Sequence, residues 1–236
     1  MRLLLLIALL LGTVANSSLC HADQAQIKRD IENRFPGVKV DSVVKTPYFG
    51  LYEILIGGEL LYTDEKVTYL FNGSIIDAQT RRNLTEERQQ KLSAINFDDL
   101  PLDLALKQVR GSGRRIVAVF SDPNCPYCRT LDRQLMQMQD VTIYTFLYPI
   151  LRQDSVDKAK AIWCSRDRAK AYYDWMLSNK APIGPANCST PVDKILALGE
   201  RLGIRATPTS FVVSGQRVMG ARVADLTKLL EEMPAK

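Results

Sequence analysis

The sequence predicts two domains in series: a small α+β unit, then a larger α/β domain. Between residues 38 and 77, short β-type runs alternate with turn residues at hairpin spacing. From Leu104 onward, strand and helix patterns alternate instead, the signature of a sheet covered by helices. In that second half a Cys-Pro-Tyr-Cys run, Cys125 to Cys128, comes directly after an apolar strand.

Residues 1–22 read as an address. Arg2 gives a short basic start, Leu3 to Leu11 a nearly unbroken apolar run, and Cys20-His21-Ala22 small residues at −3 and −1 of a cut after Ala22. The apolar run is short for a membrane span. The rival reading, a lipoprotein acylated at Cys20, meets Leu19 where such signals place a small residue. Removal of the signal takes away the single histidine, His21, and one of five cysteines. Serine–histidine–aspartate catalysis, Cys–His catalysis and His-ligated metal sites are thereby excluded. Net charge moves only from +5 to +4, through loss of Arg2. The basic residues form short pairs (Arg81-Arg82, Arg114-Arg115) without interleaved aromatics, so no nucleic-acid surface is expected. Four cysteines in an exported chain point to an oxidising compartment.

In the mature chain, Asp23–Phe35 places Ile27, Ile31 and Phe35 four apart, an amphipathic helix stopped by Pro36-Gly37. Five strands are expected next, over 38–44, 51–56, 59–63, 67–71 and 74–77. Gly57-Gly58, Asp64-Glu65-Lys66 and Asn72-Gly73 serve as turns between them. So small a unit buries a modest core alone, which favours burial against a partner. Residues 79–100 read as a connector holding a short polar helix over 86–94, capped by Asn83 or Thr85. The domains expected are 23–78, the linker 79–100 and the α/β domain 101–236.

In that domain, 115–120 is a buried-type strand, succeeded by the cysteine run and a helix to about Gln139. Residues 141–148 form a second strand, and 155–177 and 191–202 are helical. Residues 211–213 and 217–219 form a hairpin around Ser214-Gly215, and 223–233 a closing helix. Strand, Cys-x-x-Cys, helix, strand, helical insertion, hairpin and helix is the order of a thioredoxin-like α/β domain.

Two thiols on one helical turn can close and exchange a disulfide. A helix N-terminus offers unpaired N–H groups and partial positive charge, which favour thiolate over thiol at the outer cysteine. Cys125 is therefore the expected nucleophile and Cys128 the resolving thiol. Pro126 suits the first helical turn. Tyr127 brings no imidazolium to the helix field, so a milder oxidant than a Cys-Pro-His-Cys site is expected. A zinc half-site lacks a second close pair, and a structural bridge over so small a loop gains little. Cys164 is expected in a helix over 161–174 and Cys188 in a Pro-, Asn- and Ser-rich loop. They are read as a buried structural disulfide, with a second redox pair as the alternative. Thr207-Pro208, ahead of an apolar strand, is by itself an ordinary loop proline.

The whole mature chain resembles the DsbC/DsbG disulfide isomerases of the periplasm. The match rests on the run Phe120-Ser121-Asp122-Pro123-Asn124-Cys125-Pro126-Tyr127-Cys128, on Lys160-Ala161-Ile162-Trp163-Cys164, and on Thr207-Pro208. The resemblance implies a cis Pro208, with Thr207 pairing its backbone to a bound substrate peptide. Threonine there is typical of this group, where DsbA-type oxidases usually carry valine. The Cys164/Cys188 pair is similar to DsbC, whereas Cys-Pro-Tyr-Cys departs from the commoner DsbC Cys-Gly-Tyr-Cys and matches DsbG. The resemblance also implies a V-shaped homodimer through the strand around 58–62, acting on misoxidised exported proteins. It further implies a membrane reductase of the DsbD type as electron donor, and no metal or organic cofactor. A DsbA-like oxidase and a DsbG-like chaperone are the alternative readings.

Overall fold

A computed structural model describes residues 18–185 and 188–232, with side chains from residue 23 onward. The signal segment expected over 1–22 lies outside these residues as far as Ser17. The chain divides into two compact units between Gln89 and Gln90.

In the first unit, α1 (Ser18–Arg34) precedes an antiparallel sheet of β1 (Ser42–Lys45), β2 (Tyr52–Ile56), β3 (Glu59–Thr63) and β4 (Leu70–Phe71), paired in chain order. The helix starts before Asp23 because the sequence places no breaker between Ser18 and that residue. Ile27 and Ile31 bury against Val40, Val43, Tyr52, Ile54 and Val67, and this stripe fixes the helix on the sheet. Phe35 falls beyond the helix end and is 43% exposed rather than part of that stripe. Gly57 and Gly58, with φ of 58° and 87°, make the two-residue turn that pairs Ile56 with Glu59. The fifth strand expected over 74–77 does not form, and that segment contributes only an isolated bridge, Ile76 to Asn83. The strand expected over 67–71 shrinks to two residues. Asp64 accepts the N–H groups of Thr68 and Tyr69, and this turn takes the donors that a longer ladder would use.

The helix α2 (Leu84–Ser93) is capped by Asn83, whose Oδ1 accepts the Glu86 N–H at 3.1 Å. Thr85 is buried instead, bonded to the Tyr62 hydroxyl at 2.7 Å and to the Ile75 N–H. Arg88 grips Glu53 on β2 at 3.0 and 3.1 Å. Polar contacts, not an apolar stripe, hold the first half of this helix to the sheet.

The second unit is a five-stranded sheet of β5 (Leu106–Arg110), β6 (Arg115–Ser121), β7 (Val141–Leu147), β8 (Thr209–Val212) and β9 (Arg217–Met219). Their order is β5-β7-β6-β8-β9, with β6 and β7 parallel and the other pairs antiparallel. A parallel pair needs a crossover, and α3 (Pro126–Leu135) supplies it. Among the described residues the unit has further α-helices, α4 (Gln153–Trp163), α5 (Arg168–Ser178), α6 (Val192–Arg201) and α7 (Val223–Glu232). This is the thioredoxin-like fold that the sequence predicts. The central strand β6 is buried from Val117 to Ser121. Its Val117 and Val119 pack with Leu131, Leu135, Leu226 and Leu230 of α3 and α7. Its Ala118 and Phe120 pack with Phe146, Phe211, Ile195 and Leu198.

Three expectations change here. β5 is an additional strand, silent in the sequence because an edge strand with a single buried residue, Leu106, carries little hydrophobic signal. The helix expected to reach Gln139 stops at Leu135, and the chain turns into β7 through Asp140, at φ 55°. Asp140 holds that turn by accepting the Ser112 N–H and hydroxyl, both at 2.8 Å. The single helix expected over 155–177 is two. Asp167 caps α5 by accepting the Lys170 N–H, and Cys164 sits at the C-terminal cap of α4, not inside a helix.

Candidate active site

Strand β6 delivers the chain to the site, and Asp122 fixes the loop that leads into α3. Its buried carboxylate accepts the Asn124 N–H at 2.8 Å and the Leu151 N–H at 2.9 Å, while its carbonyl accepts the Cys125 N–H at 3.0 Å. The Asn124 side-chain amide donates to Asp154 and Ser155 at 3.0 and 2.9 Å. The Trp175 indole N–H donates to the Pro123 carbonyl at 2.6 Å. The four-residue loop is thus pinned from the connection between β7 and α4, from α4 itself and from α5.

Cys125 is the N-terminal cap of α3, with extended φ and ψ of −80° and 118°, and Pro126 occupies the first turn. Tyr127 stands at the rim, 66% exposed. Cys125 and Cys128 are free thiols, both buried. The Thr207-Pro208 bond is cis, and the Cys125 thiol donates to the Thr207 carbonyl at 3.2 Å. The structure therefore brings Cys125, Pro126, Tyr127, Cys128, Thr207 and Pro208 into one place.

The two thiols differ in kind. The Cys125 pKa is lowered to about 6, first by a hydrogen bond from the Cys128 thiol, against the penalty of burial. The Thr207 side chain and the N–H groups of Cys128 and Tyr127 help. Those two N–H groups lie in the first turn of α3, where the helix leaves its amides unpaired, so the helix end favours the thiolate. The Thr207 hydroxyl is buried without a partner among the described residues, and a thiolate at Cys125 supplies an acceptor. The Cys128 pKa is pushed far up, first by burial and then by the hydrogen bond that it gives to Cys125. One sulfur is ionised near neutrality and the other holds its proton.

Alkylation of the reduced chain by iodoacetamide is accordingly expected to track the Cys125 thiolate, reaching half its plateau rate near pH 6. Thr207→Val shifts that inflection upward. Mass spectrometry of the labelled peptide checks both, and an inflection at the ordinary thiol value with the native threonine in place refutes this electrostatic account.

Cys164 and Cys188 are joined by a disulfide, with Cα atoms 5.8 Å apart. The burial expected for it is not found, since Cys164 is half-buried and Cys188 exposed. Its loop spans the break between α4 and α5 and all of α5, which carries Tyr172 and Trp175.

Sequence reading missed the roles of Ser121, Asp122, Asn124, Asp132, Tyr172 and Trp175. Asp132 alone carried a local signal: an acid four residues after Cys128, between Leu131 and Leu135 of the apolar stripe. Charged residues are rarely fully buried, and Asp132 is 1% exposed.

A Cys-x-x-Cys pair capping a helix, faced by a cis-proline loop on a five-stranded α/β sheet, defines a thioredoxin-like thiol–disulfide oxidoreductase. Comparison with known proteins narrows this. The disulfide bond isomerase protein N-terminal domain (DsbC_N) matches residues 18–86, and a thioredoxin-like domain matches residues 102–234. The "Probable thiol:disulfide interchange protein DsbC" of Bordetella pertussis is 53% identical over 199 residues, covering 84% of this chain and 71% of the relative. The thiol:disulfide interchange protein DsbC of Escherichia coli is 25% identical over 210 residues, 87% of this chain and 86% of the relative. A crystal structure of a disulfide interchange protein from Neisseria gonorrhoeae superposes with a TM-score of 0.55 at 41% identity, covering 58% of this chain and all of that one. The chain belongs to the DsbC family of thiol:disulfide interchange proteins.

Proposed function

We propose that the chain is a periplasmic protein disulfide isomerase that rearranges incorrect disulfides in exported proteins through Cys125 and Cys128. The observation that carries this reading is the ionisable Cys125 sulfur, facing Thr207 on one side and the proton-retaining Cys128 on the other. The Cys125 thiolate attacks a wrong disulfide, forming a mixed disulfide and releasing one substrate thiolate. A second substrate thiol then displaces Cys125 and leaves a rearranged bond. Alternatively Cys128 displaces the substrate, which departs reduced. The Thr207 carbonyl stands free to pair with a substrate backbone once the Cys125 thiol has lost its proton. Cys164 and Cys188 serve as a structural tie.

The first unit serves as a dimerisation domain over residues 23–78, with 79–100 as linker and 101–236 as the catalytic domain. Among the described residues β3 pairs only Tyr62 and Thr63 with β4, so Glu59–Leu61 leave an edge open to a second copy. A site that must stay reduced in an oxidising compartment needs a donor, and a membrane reductase of the DsbD type supplies electrons to Cys125 and Cys128.

Recovery of a scrambled-disulfide substrate by the mature chain, 23–236, tests the reading. Restored substrate activity is expected from the reduced chain, without net oxidation of reduced peptides. Failure to recover the substrate, together with rapid oxidation of reduced peptides, sinks the isomerase in favour of a DsbA-like oxidase.

A further inference from the structure

Beneath the thiol pair lies a buried chain of hydroxyls that ends on a carboxylate. Asp132, one turn beyond Cys128 on α3, accepts the Tyr172 hydroxyl at 2.8 Å. The Tyr172 oxygen lies 2.6 Å from the Ser121 hydroxyl. Ser121 ends the strand that leads to the cysteine loop, and its hydroxyl acts on Cys128 in the direction that favours the Cys128 thiolate, against the rise caused by burial. Ser121 is fully buried, and Tyr172 and Asp132 are within 1% of it. Each hydroxyl has one proton to give. Because Tyr172 gives its proton to Asp132, Ser121 must give its own to Tyr172, and its oxygen is left to accept the Cys128 thiol proton once the Cys125 sulfur is bonded in a mixed disulfide and no longer takes it. In the mixed disulfide the hydrogen bonds are therefore polarised in one direction, from the resolving thiol to the carboxylate.

We propose that Ser121, Tyr172 and Asp132 form a proton relay that deprotonates Cys128 for the resolving step, with the Asp132 carboxylate as terminal acceptor. This rests on the roles given above to Cys125 and Cys128. In the mixed disulfide, the Cys128 thiol proton passes to Ser121, the Ser121 proton to Tyr172 and the Tyr172 proton to Asp132. The Cys128 thiolate attacks the Cys125 sulfur, and the Cys125–Cys128 bond forms as the Cys125–substrate bond breaks. The substrate sulfur leaves as a thiolate with the electron pair. Cys128 is oxidised, the substrate sulfur is reduced, and one proton rests on Asp132. Burial denies Cys128 a proton acceptor from bulk water, so the relay supplies what solvent cannot.

The acceptor is matched to the task. Asp132 is pushed up to about 7, first by burial, against the Tyr172 hydrogen bond, with the Cys125 thiolate adding to the rise. It is charged above that value and can take a proton; below it the relay is already filled. Tyr172 and Tyr173 face it from α5, both held protonated by burial, and Arg110 on β5 acts on Tyr173. Bonding of the Cys125 sulfur removes that thiolate charge, so in the mixed disulfide the inflection lies at or somewhat below 7.

The test is a two-phase reaction of the reduced chain with 5,5′-dithiobis(2-nitrobenzoate). Attack by Cys125 releases one nitrothiolate, and attack by Cys128 on the resulting mixed disulfide releases the second. A missing first phase in the native chain, or a second phase that survives Cys128→Ala, overturns the roles of the two cysteines themselves. With those roles intact, the native second phase is expected to slow as pH falls through the Asp132 inflection. Asp132→Asn keeps the shape but cannot take the proton. It is expected to slow the second phase by about tenfold to a hundredfold at neutral pH and to erase the inflection, leaving a rate that climbs with hydroxide. Tyr172→Phe, which interrupts the relay while sparing the carboxylate, is expected to do the same, and it carries the test alone if Asp132→Asn does not fold. A second phase of native rate and native pH profile in either folded variant overturns the relay.

Discussion

Cys125→Ala is expected to return the recovery of a scrambled-disulfide substrate to its uncatalysed baseline, whereas Cys128→Ala traps covalent complexes with substrate. The asymmetry comes from the two environments. At neutral pH a sulfur with a pKa of about 6 is mostly thiolate, while an ordinary thiol is ionised to roughly one part in a hundred and a buried one to far less. With Cys125 gone, Cys128 has lost its hydrogen-bonding partner but keeps the burial that raises its pKa. It therefore attacks at least about a hundredfold more slowly. With Cys128 gone, Cys125 keeps its place at the helix end and the Thr207 contact, so the first attack survives. Mixed disulfides then leave only by attack of another substrate thiol. Substrate recovery and non-reducing mass spectrometry of the trapped adduct read the two variants. Recovery at the native level with Cys125→Ala, or adducts on Cys128, refutes the assignment.

The same environment sets a pH dependence. A folded-state pKa below the ordinary thiol value stabilises the folded, reduced chain at alkaline pH, and this contribution is lost as pH falls through about 6. The oxidised chain has no such thiolate. Between about pH 6 and the ordinary thiol range, reduction of this site takes up one proton where an ordinary thiol couple takes up two, so rising pH favours its reduced form relative to such a couple. That is the direction required of a site that must wait, reduced, for misoxidised substrates.

Much of the fold is legible in the chain because local rules and tertiary packing agree. The Cys-Pro-Tyr-Cys turn needs a strand before it and a helix after it, and β6 and α3 are there. The hairpin at Gly57-Gly58 forms because only two residues stand between matched apolar runs. Legibility fails where tertiary context outweighs local pattern. The apolar texture of 155–177 gives no sign of a break, because the cap at Asp167 and the disulfide at Cys164 act against that periodicity. At the site, the cysteines announce themselves, but Asp122, Trp175 and the Ser121–Tyr172–Asp132 chain act across 29, 52, 51 and 40 residues of sequence. Nothing in the local pattern pairs Tyr172 with Ser121; only the packing of α5 beneath the thiols does so.

Removing the Cys164–Cys188 bridge is expected to give the largest loss of stability without touching the reactive thiols. The bond closes a loop with a sequence separation of 24, and the chain-entropy model assigns a loop of that size about 3–4 kcal/mol. Serine at both positions adds little penalty of its own, because Cys188 is exposed and Cys164 only half-buried. The loss falls on a particular part of the site. The loop contains α5, whose Trp175 holds the Pro123 carbonyl and whose Tyr172 sits against Ser121 and Asp132. Freeing that loop therefore loosens the support of Cys125 as well as lowering global stability. Urea unfolding of the double serine variant is expected to show a lower midpoint and a somewhat steeper slope, because the uncrosslinked denatured chain exposes more surface, with substrate recovery reduced yet present under conditions where the variant is folded. A second redox pair predicts the opposite pattern, native stability with exchange impaired, and that result would overturn the structural role of this disulfide.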